Sequence, residues 1–325
     1  MFSHSGGTLG RRYKFGMGFF DRIFGRKSRK IRRWTSAANA KLQNPAMLVL
    51  LDAPPVLDAE RAIRDLAAIE TLAVVPRFSP RDLAATSKTA FVAFSGAFEF
   101  DSHSIDVAGI DAPVAPEIVD RTVTASHWTG EGREGMEKHR AHVQLTHRGG
   151  GANPAEKYIA LYKLAAALGG EHLAGVLIDE AWTCAPAGVV REFARPAFLK
   201  TIRDQAPPIL FTGFVKFMGE DGTWFATKGQ HVFGSPDFVM QAGPGDRPDK
   251  TLDLFMNIFL YIASADRELR AGHTMQIAQD IFLRFGELPA DHPHAGALKG
   301  AGRTLTIARI GKDEINTREP DGGAV

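Results

Sequence analysis

The sequence predicts an α+β fold, with an antiparallel-rich sheet and packed helices in two joined lobes. Short apolar runs end at prolines or glycines, as buried strands do, and residues 139–146 alternate between polar and apolar side chains. Helices with apolar faces stand between these strands. We therefore expect the helices to pack on the sheet.

The predicted body covers residues 44–312, with lobes at 44–185 and 186–312. The alternative is a pair of separable domains that meet near residue 186. Residues 1–43 are predicted to be a basic, largely disordered head with a short amphipathic helix, and residues 313–325 a flexible tail.

The first predicted elements are a strand and a helix. Residues 47–51 form a continuous apolar run that Pro54 and Pro55 end, which is typical of a buried strand. Asp58 is a suitable N-cap for a helix that runs to Glu70 with one apolar face.

The next segment favours strands and turns. Residues 89–125 combine phenylalanine, isoleucine and valine with scattered glycine and proline, and residues 130–137 are rich in glycine and glutamate, which predicts a loop. In the strand that follows, Ala141, Val143 and Leu145 share one face, which we expect to be buried.

A second helix is predicted at residues 154–168. Asn153 is a typical N-cap residue, Pro154 fits the first helical position, and Glu156 can reach back to the backbone N–H of the cap. Two glycines end this helix, and residues 173–178 predict the next strand.

The remaining third of the chain is predicted to alternate in the same way. Its expected elements are a helix at 189–204 interrupted near Pro196, strands at 209–217, 224–227 and 238–241, a centrally buried helix at 251–269, and a last strand at 304–310.

Charge is distributed very unevenly along the chain. Residues 11–33 hold ten Arg and Lys residues against one acid, whereas the other 302 residues hold 29 bases and 36 acids. A segment of this kind is attracted to anionic surfaces. Because the body has no matching basic stretch, we do not expect nucleic acid to be the partner.

The head also carries an apolar stripe. On a helix, rings and a branched side chain would share one side with cations beside them, which is typical of an interfacial helix. The residues expected to meet a membrane surface are Phe19, Phe20, Arg22, Ile23, Phe24, Arg26 and Lys27. The alternative is a disordered, solvated tail.

The expected location is cytoplasmic, with residues 18–33 able to hold the protein on anionic lipid at the inner face of the membrane. The apolar part is too short to span a bilayer. A single cysteine, Cys184, forms no internal disulfide and fits a reducing compartment. Translation can begin at Met1 or Met17, and the sequence leaves both open.

One polar cluster is a candidate for catalysis. If the strand that carries His142 pairs with the strand that ends at Asp179 and Glu180, an imidazole and a carboxylate meet at a sheet margin, near His127. Such a pair can act as a general base. The alternative is a polar pair on an exposed sheet face.

Neither a metal nor a cofactor is predicted. His139, His142 and His147 are near in sequence, but a regular strand does not let side chains three and five residues apart converge. His292 and His294 lie in a loop, where we expect no acidic or cysteine partner for them.

Several segments together resemble a bacterial family of domains of unknown function, family four-two-six-one, over about residues 46–310. The resemblance implies a cytosolic α+β protein and no particular reaction. It rests on Leu50-Leu51-Asp52-Ala53-Pro54-Pro55, His139-Arg140-Ala141-His142-Val143, Phe211-Thr212-Gly213-Phe214, Phe233-Gly234-Ser235-Pro236, Met256-Asn257-Ile258 and Gly272-His273-Thr274.

Two classes of function follow from these observations. The leading hypothesis is a binding or regulatory module with a protein or small-molecule partner that the sequence does not name. The competing hypothesis is a hydrolase-like enzyme that uses His142 with Asp179 or Glu180.

Overall fold

The computed structural model contains thirteen strands and eight helices within the residues it describes. Those residues are 44–82, 91–149, 153–205, 210–265 and 268–315. The strands are β1 Ala46–Leu51, β2 Arg77–Pro80, β3 Val92–Phe100, β4 His103–Ile110, β5 Ala141–Gly149, β6 Leu173–Ile178, β7 Thr183–Pro186, β8 Gly213–Gly219, β9 Gly222–Lys228, β10 Asp237–Gln241, β11 Thr274–Ala278, β12 Ile281–Glu287 and β13 Thr304–Gly311. The helices are α1 Ala59–Ile69, α2 Pro116–Val119, α3 Glu131–Glu137, α4 Pro154–Gly169, α5 Ala187–Glu192, α6 Pro196–Gln205, α7 Pro248–Ala265 and α8 Ala295–Leu298.

Seven strands form sheet 1 in the order β2-β3-β4-β5-β1-β6-β7, and every neighbouring pair is antiparallel. The first strand, β1, lies between β5 and β6: Leu50 is opposite His142 on one side and opposite Gly175 on the other. The apolar run that ends at Leu51 is therefore a central strand, which explains its burial.

Six strands form sheet 2 in the order β11-β12-β13-β10-β9-β8. All its pairs are antiparallel except β10 with β13. Two antiparallel-rich sheets with eight helices confirm the predicted α+β class. Sheet 1 comes from residues 46–186 and sheet 2 from residues 213–311; the proposed lobe boundary and the alternative of separable domains stay predictions.

Helix α4 is buried on nearly all sides, because it contacts sheet 1 and α1 and also meets side chains from the second half of the chain. Tyr158 stacks on Phe211, with ring centroids 5.2 Å apart, and on Phe233 at 5.9 Å. Phe233 in turn meets the ring of Phe259 in α7 at 5.6 Å. This row of rings joins the core around sheet 1 to the core around sheet 2.

The predicted helix caps are present. Asp58 accepts a hydrogen bond from the backbone N–H of Arg61 at 2.9 Å, and Asn153 accepts one from Ala155 at 3.0 Å. The carboxylate of Glu156 does not return to the cap as expected, since it is bound by Arg203 at 2.9 Å. A long-range ion pair thus replaces the expected local hydrogen bond.

The predicted loop at 130–137 is wrong, because α3 occupies most of it. Ion pairs at i and i+4 stabilise this short helix, between Arg133 and Glu137 at 2.8 Å and between Glu134 and Lys138 at 3.1 Å. Met136, fully buried, anchors it against sheet 1 at Gly175. Packing therefore outweighs the low helix propensity of the glycines.

Sheet 2 packs on α7, which runs from Pro248 to Ala265 where the sequence predicted residues 251–269. Their shared core contains mainly aromatic and branched side chains, including Phe255, Phe259 and Phe285. The hairpin of β11 and β12 was not predicted. Most of β11 is exposed, so the strand lacks the apolar alternation that marks a half-buried strand.

In the part of the chain that the structure describes, no helix has both the length and the apolar character needed to cross a membrane.

Candidate functional site

His142 does not meet Asp179 or Glu180. The expected pairing of β5 with β6 is wrong, because β1 lies between them and separates the two strands by about 10 Å. His142 Nδ1–H instead donates to the carbonyl of Ala112 at 2.8 Å, and burial lowers the pKa of the imidazole. A catalytic role for His142 stays a prediction without the partner that motivated it.

The other predicted residues also have separate surroundings. Asp179 is bound by the guanidinium of Arg121 through two nitrogens, at 2.5 and 3.0 Å. His127 lies against Trp128, with ring centroids 4.5 Å apart, and burial lowers its pKa. The structure therefore does not bring His127, His142 and Asp179 into one site.

Glu180 does meet an imidazole, although from a different part of the chain. Its carboxylate accepts a hydrogen bond from His231 Nε2–H at 3.2 Å, and this bond lowers the pKa of Glu180. Glu180 lies in a 3₁₀ turn directly after β6, and His231 in a 3₁₀ turn directly after β9. The predicted type of pair is thus present between the two sheets.

The backbone of β8 lies very close to the turn that contains Glu180, which helps to bring Glu180 and His231 together. Gly213, the first residue of β8, packs against the turn that contains Glu180: a Cβ atom at Gly213 would lie 1.9 Å from the carbonyl oxygen of Ala181. Only glycine fits such a contact without displacing the backbone. Trp182, the residue after Ala181, has a left-handed conformation with φ of 48°, and the chain turns there into β7.

Behind Glu180 and His231 lies a buried polar centre, and we call the whole group the junction site: Glu180, Lys228, Gln230, His231 and Asp237. Asp237 is fully buried, and its Oδ1 accepts hydrogen bonds from the backbone N–H of Gln230 at 3.1 Å and from the Thr227 hydroxyl at 3.3 Å. Burial raises the pKa of Asp237 to about 6.

Lys228 holds a neighbouring loop in place. Its Nζ donates to the carbonyls of Ala297 at 2.6 Å and Lys299 at 2.7 Å, at the end of α8, and lies 4.6 Å from the ring centroid of Trp182. Burial lowers the pKa of Lys228 to about 8. Because two backbone carbonyls already occupy its ammonium group, Lys228 acts as a structural donor and not as a nucleophile.

Several polar atoms of the junction site have no hydrogen-bond partner within the described part of the chain. Among the described residues, five buried side-chain polar atoms lack a hydrogen bond, and three of them are Gln230 Nε2, His231 Nδ1 and Asp237 Oδ2. Buried polar atoms are normally paired with protein or with ordered water. Their concentration here makes the junction site a candidate position for a water molecule or a polar ligand group.

The junction site can hold and move a proton. Glu180 orients the imidazole of His231, leaving Nδ1 as the acceptor, which is the arrangement of a general base. The side chain of His231 is 7% exposed and that of Glu180 is 50% exposed, so the pair lies at the edge of solvent. Glu180 was predicted from the sequence and His231 was not, because no local motif marks a pair 51 residues apart.

Two further histidines, His139 and His294, have individual hydrogen-bond partners. His139 donates from Nδ1 to the Met136 carbonyl at 2.7 Å and accepts at Nε2 from the backbone of Val114 at 2.8 Å. His294 does have an acid beside it, contrary to the expectation from sequence, since its Nε2–H donates to Asp221 at 3.0 Å. Across the described residues, no three His, Cys, Asp or Glu side chains are grouped as metal ligands.

The single cysteine is buried, as expected for a packing residue. Burial raises the pKa of the Cys184 thiol to about 12, and its sulfur donates weakly to the carbonyl of Thr122 at 3.5 Å. A thiol of this kind is a poor nucleophile. The residues predicted to meet a membrane surface, Phe19 to Lys27, lie outside the described part of the chain.

Comparison with known proteins bears on the second half of the chain. No curated protein and no solved structure is significantly similar to the chain. The matched family segment begins within β9 and ends within β13, so it contains Lys228, His231 and Asp237 of the junction site. Residues 226–307 match the model of DUF4261, a domain of unknown function, which confirms the predicted resemblance over that segment.

Proposed function

We propose that the protein is a binding or regulatory module that its basic head attaches to an anionic lipid surface, at the inner face of the membrane. The observation that carries this proposal is the charge division. Residues 11–33 have a net charge of +9, whereas the other 302 residues hold seven more acids than bases. An anionic surface attracts the head and repels the body, which orients the protein as it binds.

Charge and apolar burial make separate contributions to this attachment. Each basic residue near an anionic membrane contributes about 1 kcal/mol, and salt screens that attraction. Burial of Phe19, Phe20, Ile23 and Phe24 in the headgroup region depends far less on salt. Salt therefore separates the two contributions, with Arg22, Arg26 and Lys27 contributing to the screened part.

The arrangement of the body supports a module over an enzyme built on His142. The carbonyl of Ala112 binds this imidazole, and Arg121 binds the carboxylate of Asp179, so each group has a structural partner. A catalytic pair would need both groups directed at one substrate.

Vesicle sedimentation tests the attachment. We expect the intact chain to sediment with vesicles that contain phosphatidylserine and the variant without residues 1–34 to stay in the supernatant. Phe19→Ser combined with Phe24→Ser should leave residual binding that moderate salt abolishes. Equal sedimentation of the intact and truncated chains would reject the proposal.

The junction site supports a second candidate function, a hydrolase-like enzyme. The specific observation is the Glu180–His231 pair at 3.2 Å, with the unpartnered Nδ1 of His231 beside buried polar groups. In this reading His231 removes a proton from a water molecule, and the carboxylate of Glu180 stabilises the imidazolium that forms.

Two substitutions distinguish the enzyme from the module. With p-nitrophenyl acetate and p-nitrophenyl phosphate as probes, an enzyme at the junction site should lose turnover in His231→Gln and keep it in His142→Gln, the matched control. Turnover that is absent from the intact protein, or equal in both variants, would leave the module as the better account.

A further inference from the structure

A short loop lies against the junction site, between the end of α8 and the start of β13. It comprises residues 299–303, with the sequence Lys299-Gly300-Ala301-Gly302-Arg303. Burial alternates along this loop, since residues 299, 301 and 303 are exposed and the two glycines are half-buried. The glycines therefore form the side of the loop that faces the protein.

Each of the two glycines contacts one residue of the junction site. A Cβ atom at Gly300 would lie 1.9 Å from Oδ2 of Asp237. A Cβ atom at Gly302 would lie 2.4 Å from the Cβ of His231 and 3.3 Å from its Cγ, the ring atom to which Nδ1 is bonded. Only glycine lets a backbone lie this close to a side chain. The loop therefore covers both Asp237 and His231.

The covered atoms include two acceptors that lack a donor. Oδ2 of Asp237 and Nδ1 of His231 are buried, and neither has a hydrogen-bond partner among the described residues. The nearby N–H of Gly300 donates instead to the hydroxyl of Thr304 at 2.9 Å. A buried acceptor without a donor is unfavourable, and displacement of the loop would let water reach both atoms. Hydration of these acceptors therefore offsets part of the cost of displacing the loop.

Hydrogen bonds fix the loop at both of its ends. At the start, Nζ of the buried Lys228 donates to the carbonyls of Ala297 at 2.6 Å and Lys299 at 2.7 Å. At the end, the backbone N–H of Asp237 donates to the carbonyl of Arg303 at 2.9 Å. Bonds from a charged donor are stronger than neutral ones, so Lys228 is the main attachment of the start of the loop.

We propose that residues 299–303 form a lid, which opens to admit a small molecule to His231 and Asp237. With the lid in place, Nδ1 of His231 and Oδ2 of Asp237 are buried. With the lid displaced, both atoms accept hydrogen bonds, so the molecule that enters is a small hydrogen-bond donor.

This inference goes beyond the proposed attachment to lipid and requires no reaction at the junction site. It concerns only the access of molecules to that site. Its test therefore measures chemical modification of His231 and not turnover, so that failure of the hydrolase hypothesis and failure of the lid are distinguishable.

Diethyl pyrocarbonate is a suitable probe, because it acylates the unprotonated nitrogen of an imidazole. In His231 that nitrogen is the buried Nδ1, since Nε2–H donates to Glu180. We would treat the full chain with the reagent and measure the rate of modification at each histidine by mass spectrometry. His231 should react at least about tenfold more slowly than the exposed His273, because it reacts only while the lid is open.

Two variants should open the lid by different means. Lys228→Met removes the two hydrogen bonds at the start of the loop, and Gly300→Ala places a Cβ against Asp237. Each should raise the rate of modification at His231 by about tenfold or more. The matched control is Gly296→Ala in α8, where nothing lies within 4 Å of the added Cβ, and it should leave the rate unchanged.

The buried His139 monitors folding in each variant, because both of its ring nitrogens are hydrogen-bonded. If it reacts in Lys228→Met, that variant is unfolded and the comparison of Gly300→Ala with its control decides. Equal rates at His231 in Gly300→Ala and in the control would overturn the proposal. A rate at His231 of the intact protein that matches the rate at His273 would overturn it as well.

Discussion

Acid should destabilise the protein through His147. This imidazole is fully buried, and burial together with His103 and Lys157 lowers its pKa to about 3 from an ordinary value of 6.5. Between these two pKa values the unfolded chain therefore binds a proton at this residue and the folded chain does not. Stability from this source is complete above about pH 7 and is lost as the pH falls from 6.5 towards 3.

The size of the effect follows from the two pKa values. At pH 5 the unfolded imidazole is almost fully protonated, which favours unfolding by about 2 kcal/mol relative to pH 7.5. Any folded pKa below about 4 gives nearly the same figure, because the folded imidazole is then neutral at pH 5.

Urea unfolding at pH 7.5 and pH 5 measures this effect in the intact protein. His147→Gln keeps a donor for His103 and removes the titration, so its free energy of unfolding should fall by about 2 kcal/mol less than that of the unmodified protein between the two pH values. His273→Gln, at an exposed histidine, is the control. Parallel loss of stability in His147→Gln and the unmodified protein would refute the reasoning.

Three further changes test the packing. Lys163→Met should cost roughly 1–3 kcal/mol in urea unfolding, since it removes one charge-assisted hydrogen bond to Glu70, whose carboxylate keeps Arg203, whereas Lys138→Met should change the value by less than about 0.5 kcal/mol. Gly213→Ala should destabilise the protein by about 3 kcal/mol, because the added Cβ meets a backbone oxygen. Gly135→Ala, where nothing lies within 4 Å of the added Cβ, should be neutral or slightly stabilising. Equal thermal midpoints for these two variants would contradict this account. Tyr162→Phe removes the hydrogen bond to the Leu210 carbonyl at 3.0 Å and should lower the free energy of urea unfolding by about 1 kcal/mol.

The elements that the sequence predicted well have signals within a few residues of one another. Helix α4 begins at a cap and a proline and ends at glycines, and the structure places it at Pro154–Gly169. The apolar run of β1 was likewise expected to be a buried strand. Local capping and burial patterns are sufficient for both.

Such local signals do not determine which strands pair with one another. An apolar run shows that β1 is buried but does not show which strands flank it, and its partners β5 and β6 lie about 100 residues further along the chain. The prediction that His142 meets Asp179 depended on that pairing and failed with it. The junction of Glu180 with His231 arises from the same kind of long-range contact.

The most direct test of the central claim, attachment to an anionic surface through the basic head, is the binding of the intact chain to vesicles of increasing phosphatidylserine content at low salt. The proposal predicts that neutral phosphatidylcholine vesicles bind little protein and that the bound fraction rises steeply with the anionic lipid, because ten basic residues lie within residues 11–33. Binding that is absent at every composition, or independent of the anionic fraction, would contradict it.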